Sequence, residues 1–204
     1  ANTETAGGLV ITGTSNNNAG ANTIILTDGA NDFGGTVTVA NTGANNISIR
    51  DTNNLDVAAL TLGGNLSLQS NGALSQSGAF VVTGTTSVDA GNGTITLSNA
   101  ANNFVGAVTL SNTGSNATAI TDTNALTLAT LTLGGDLTTI NTGALNLGSG
   151  TVGGNLSATS NTGAVIQTGA LTITGTSNIN AGGAAITLTT AANNFVGAVS
   201  LTNT

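Results

Sequence analysis

Few side chains in this sequence could carry chemistry: eight carboxylates, Glu4, Asp28, Asp32, Asp51, Asp56, Asp89, Asp122 and Asp136, and a single cation, Arg50. Proton transfer at neutral pH usually draws on His, or on a carboxylate or Lys tuned by burial, and nucleophilic catalysis needs Ser, Thr or Cys beside such a base. The chain has no His and no Lys. A glycoside hydrolase would need paired carboxylates, and a lyase would need Asp clustered with Lys or Arg. The carboxylates are instead spread thinly, so the chain reads as a non-enzyme that requires no cofactor.

Two carboxylates recur with their surroundings, in Asp51-Thr52-Asn53 and Asp122-Thr123-Asn124. Their oxygens are suitable donors for calcium, but the glycine- and aspartate-rich nonapeptide of calcium-loaded β-rolls is absent. A lone Asp in a turn ordinarily bonds nearby backbone amides, and no metal site is expected. With a net charge of −7, the chain repels phosphate, and one Arg cannot supply the counterion release behind nucleic-acid affinity. Binding to an anionic membrane surface is disfavoured on the same grounds.

These residues are positioned by a repeat. Thr12-Gly13-Thr14 returns as Thr83-Gly84-Thr85 and Thr174-Gly175-Thr176, at spacings of 83 − 12 = 71 and 174 − 83 = 91. Phe33, Phe104 and Phe195 keep the same beat, with 104 − 33 = 71 and 195 − 104 = 91. Gly63-Gly64 matches Gly134-Gly135, and Asp51 matches Asp122, again at 71. The difference, 91 − 71 = 20, is about one solenoid coil. Thr151-Val152-Gly153-Gly154-Asn155-Leu156 repeats the phrase that ends at Leu137, and 156 − 137 = 19, so the second unit carries one duplicated coil there. A stack in which each coil touches only its neighbours accepts such an insertion at low cost. The chain is thus a single repeat segment over residues 1–204, with units near 12–82, 83–173 and 174–204. The 71-residue unit divides naturally into about three coils, one shorter coil followed by two longer ones.

Within coils the pattern alternates, as in Thr36-Val37-Thr38-Val39, Leu66-Ser67-Leu68 and Thr94-Ile95-Thr96-Leu97. Period two with β-branched residues means strands. Clusters such as Asn41-Thr42-Gly43-Ala44-Asn45-Asn46 mean turns. Aromatics make up only 2% of the chain, which argues for small uniform layers over a globular core. The expected fold is all-β, a right-handed parallel β-helix of about 8 or 9 coils, right-handed because parallel crossovers almost always are. Phe33, Phe104 and Phe195 are expected to plug one corner of successive units. A rival role is an ice- or glycan-binding face built on outward Thr, with Thr36 and Thr38, Thr94 and Thr96, and Thr187 and Thr189 as candidates. These recur once per unit and not once per coil, whereas a flat array needs every rung.

The phrases Leu171-Thr172-Ile173-Thr174-Gly175-Thr176, Ile186-Thr187-Leu188, Ala192-Asn193-Asn194-Phe195-Val196-Gly197 and Leu131-Thr132-Leu133-Gly134-Gly135-Asp136-Leu137 resemble the shaft repeats of filamentous-haemagglutinin-like exoproteins and giant bacterial repeat adhesins. The resemblance covers nearly the whole chain. It implies a right-handed β-helix exported across a Gram-negative outer membrane and displayed or released there, with a structural or adhesive role.

No stretch in Ala1–Gly20 has the basic start and apolar run of a signal peptide, and no run approaches membrane-spanning length. Ala1 aligns with Gly72 and Thr204 with Thr113, inside units. The expected partners are therefore neighbouring coils of a longer chain, or identical subunits stacked end to end, together with a host, mineral or polysaccharide surface. Nucleic acid and membrane insertion are not expected.

Overall fold

A computed structural model describes residues 1–4 and 6–204. Among the described residues every regular element is a strand, from the short Asn2–Thr3 to the long Leu126–Leu133. The strands pair in parallel with the turns before and after, in stacked sheets of thirteen, ten, three and two strands. This is a parallel β-solenoid. The ten-stranded sheet takes one strand from each turn, from Ser15–Asn18 to Val199–Thr202, so the chain makes about ten turns. That corrects the 8 or 9 expected. At about 4.8 Å per turn the stack is about 48 Å long.

The register sets the turn length. Ile24, Ile47, Leu66, Thr86 and Val108 stack in one column, and the steps along the sequence are 47 − 24 = 23, 66 − 47 = 19, 86 − 66 = 20 and 108 − 86 = 22. Thr118, Leu137, Leu156, Ser177 and Val199 stack in another, with steps of 19, 19, 21 and 22. The turns are thus close to uniform, in place of the shorter and longer coils expected.

Three turns from Ile24 end at Thr86, a span of 86 − 24 = 62. The 71-residue repeat overshoots that point by 71 − 62 = 9, enough to carry the chain round one corner to the next face. The counterpart of Ile24 is Ile95, yet Ile24–Leu26 lies in the thirteen-stranded sheet and Ile95–Leu97 in the ten-stranded one. The division into three whole coils is thereby corrected, because the unit spans about three and a third turns. The longer spacing obeys the same rule. Four turns lead from Ile95 through Thr118, Leu137 and Leu156 to Ser177, a span of 177 − 95 = 82, and 91 − 82 = 9. The insertion is one full turn, with Leu156 seated directly on Leu137.

A unit can rotate in this way because every face offers the same interior. Alternation buries Leu26, Ile49, Leu68, Val88 and Leu110 in one continuous column. Each such side chain contributes about 1.5–3 kcal/mol of burial, and a shaft of similar aliphatic layers does not distinguish one face from the next.

Candidate functional site

Asp51 and Asp122, the repeated carboxylates, are fully buried. Asp51 accepts hydrogen bonds from the main-chain N–H groups of Phe33 (3.2 Å) and Asn53 (3.1 Å). Asp122 accepts the equivalent pair from Phe104 (2.6 Å) and Asn124 (2.7 Å). Each carboxylate thus caps its own turn and ties it to the strand of the preceding one. Burial pushes both acids above the ordinary carboxylate range, and the backbone donors partly offset it. Their acceptor capacity is directed into the fold. Among the described residues, no three of His, Cys, Asp and Glu gather into a group that could hold a metal ion.

The repeated glycines mark close approach between turns. A Cβ on Gly63 would meet the Gly43 carbonyl oxygen at 2.5 Å, and on Gly134 it would collide with the carbonyl of Gly114. Gly64 and Gly135 face the backbone of Asn45 and Asn116 in the same manner. Gly43 and Gly114 have φ of 74° and 68°, a region that L side chains seldom adopt. Beside them runs an asparagine ladder. Asn46 Oδ1 accepts the Asn65 N–H, and Asn65 Oδ1 accepts the Thr85 N–H, both at 2.9 Å.

The phenylalanines do not share one corner. Phe33 lies in the two-stranded sheet, Phe104 in the three-stranded sheet and Phe195 in the thirteen-stranded one. They have equivalent neighbours, Ile11, Val82 and Ile173, but are rotated about the shaft with their units. Phe80, outside the phenylalanine repeat, replaces the counterparts Leu9 (80 − 71) and Leu171 (80 + 91) and is fully buried. Phe80-Val81-Val82 is an apolar run without alternation, so the signal for the inward place of Phe80 was the repeat spacing to Leu9 and Leu171. The sequence reading also missed two reciprocal amide pairs, Gln76 with Asn102 at 2.8 Å and Gln167 with Asn193 at 2.7 Å. The spacing 167 − 76 = 91 was the signal for them.

The threonine candidates stand in mixed columns. Thr96 lies between Ser75 and Ala119, and Thr38 beside Asn16. Thr36 belongs to a different feature, a cleft of about 370 Å³ lined also by Gly34, Gly35, Asn54, Asp56 and Ser75. There Asp56 takes the Thr36 hydroxyl at 2.8 Å and the Ser75 hydroxyl at 2.9 Å.

No curated protein and no solved structure matches this chain. A family model described as repeats of unknown function (DUF5649) matches residues 3–40, 44–111 and 134–202. The three matches end at residues 40, 111 and 202, and 111 − 40 = 71 while 202 − 111 = 91, the same beat as the phenylalanines. With most of its length matched in phase with its own repeat, the chain belongs to this family of repeats of unknown function.

Proposed function

We propose that this chain is a non-catalytic structural and adhesive shaft of an extracellular bacterial surface protein or filament. The observation that carries this reading is a single aliphatic core running through about ten turns, each bonded only to the turns beside it. Such a stack transmits length and stiffness and can be extended by whole turns, as the insertion at Leu156 illustrates. The repeated carboxylates and glycines hold turns to one another, which supports a mechanical role for the motifs that recur most strictly. Extracellular display rests on the resemblance of the repeat phrases to exoprotein shafts.

Cryo-electron microscopy of the native material tests the reading. Rods with a rise near 4.8 Å per turn, about the spacing of stacked strands, are expected on the cell surface or in the medium. Compact intracellular particles would overturn it.

A further inference from the structure

The repeats serve as internal controls for one another, and at one place the first unit departs from the second in a way that opens a site. Asp56 is held between hydroxyls from the turns on either side, Thr36 at 2.8 Å and Ser75 at 2.9 Å. The repeated carboxylates Asp51 and Asp122 take two backbone N–H groups each. Asp56, half-buried on an outward position of Leu55–Val57, takes these two side-chain hydroxyls. In the second unit the counterparts, at the repeat spacing of 71, are Ala107 for Thr36, Thr127 for Asp56 and Asn146 for Ser75. The triad therefore belongs to the first unit and is not required by the repeat.

The lining differs from the later units at a second position. Gly34 stands where the later units have Val105 and Val196, whose side chains are exposed at 62% and 64%. A Cβ at Gly34 would meet the Thr12 and Ile11 carbonyl oxygens of the preceding turn at 3.0 and 3.1 Å, so the glycine lets the two turns approach and adds no side chain to the cleft it lines. The cavity of about 370 Å³ falls in the range of small-ligand sites.

Hydrogen-bond accounting gives the ligand class. Both hydroxyl hydrogens are committed to the Asp56 carboxylate, so Thr36, Ser75 and Asp56 present only lone pairs to an incoming molecule. The Asn54 side-chain carbonyl oxygen is occupied by the Ala73 N–H at 2.8 Å, which leaves the Asn54 NH2 group as a donor in the lining. A cleft with three acceptor side chains, one amide donor and one negative charge disfavours anions and suits a neutral molecule whose hydroxyls both donate and accept. A divalent cation would ask for more than one carboxylate and a fuller oxygen shell.

We infer that the Thr36–Asp56–Ser75 cleft is a binding subsite for one sugar residue of a neutral polysaccharide. It rests on the adhesive reading and deepens it by naming the class of surface gripped. Only the first unit carries it, so a long shaft would display it sparsely.

The test is titration of the ¹⁵N-labelled chain with neutral hexasaccharides of glucan, mannan and galactan, followed by amide shifts. A saturable shift at Gly35, Asp56 and Ala73 with at least one sugar is expected, weakened at least tenfold in Asp56→Thr and Thr36→Ala. Both substitutions install the second unit's own residues, so the fold is retained, and an unchanged spectrum elsewhere checks this. No saturable shift with any of the three sugars, or equal binding by the two variants and the parent, would overturn the site. A shift produced by calcium chloride alone and abolished with Asp56→Thr would overturn it too, assigning the cleft to a cation. Rod geometry by microscopy is independent of all these outcomes, so failure of the subsite is distinguishable from failure of the shaft.

Discussion

Asp122 Oδ2 accepts the main-chain N–H of Phe104 at 2.6 Å from the adjacent turn, and both residues are buried. Phe104 is thereby held at the end of its strand by a carboxylate from one turn further on. The pair Asp51 and Phe33 repeats the device at 3.2 Å on a different face of the shaft.

Removing that acceptor leaves a buried donor unpaired. Asp122→Ala is expected to destabilise its part of the stack by about 2 kcal/mol, the usual cost of an unsatisfied buried group. Asp122→Asn keeps one acceptor oxygen and loses less. Hydrogen exchange at the Phe104 amide, read with urea denaturation, checks both variants. Undiminished protection in the alanine variant would show that the bond does not hold the strand.

Burial raises the pKa of Asp51 and Asp122 above the ordinary carboxylate value of 3.8, against the opposing pull of their backbone donors. Between that value and the raised one, the folded chain binds more protons than the unfolded chain. Their contribution to stability is therefore fully present below the unfolded value and is lost as pH rises through the folded value. Asp28 runs the other way: the Ala30 and Gly7 amides lower it, so its small contribution is lost as pH falls through its folded value. Urea midpoints measured across the acid range should fall with rising pH less in the Asp51→Asn, Asp122→Asn double variant than in the parent. Parallel profiles would contradict this sign.

Leu133 is an inward residue, 3% exposed and paired with Val152 of the next turn. Leu133→Asp places an unpaired charge in the aliphatic column and is expected to cost about 4 kcal/mol or more. Neighbouring turns should open with it, since each turn is supported by those beside it. A Tm equal to that of the parent would count against the register.

Thr86 carries a buried hydroxyl with no hydrogen-bond partner among the described residues, in a column between Leu66 and Val108. Ser15 and Ser177, its repeat counterparts, have the same defect. Thr86→Val replaces the hydroxyl by a methyl of similar volume and is expected to stabilise the chain by about 1 kcal/mol. The outward control Thr109→Val should stay within about 0.5 kcal/mol. Equal effects in the two variants would remove burial as the cause.

The strands were legible because alternation such as Leu66-Ser67-Leu68 needs only the local pleat, and Leu66 and Leu68 are buried with Ser67 exposed. The inserted turn was legible as well, since Leu156 follows Leu137 by one coil length and stacks on it. The Asp56 cleft was not. Its three side chains are distant in sequence, and only stacking of successive turns brings Thr36 and Ser75 onto one carboxylate.

The sequence alone determined the repeat, the strand class and the inward residues, because a duplicated segment and a period-two pleat are both properties of the chain read along itself. Phase was left to the tertiary structure. A turn closes when its corners return the chain to the ladder, after a step of 66 − 47 = 19 between Ile47 and Leu66 but 47 − 24 = 23 between Ile24 and Ile47. No spacing in the sequence states where that return falls. Since the core accepts aliphatic side chains equally on every face, the 71-residue unit settled at about three and a third turns, and Phe33, Phe104 and Phe195 came to face three different ways.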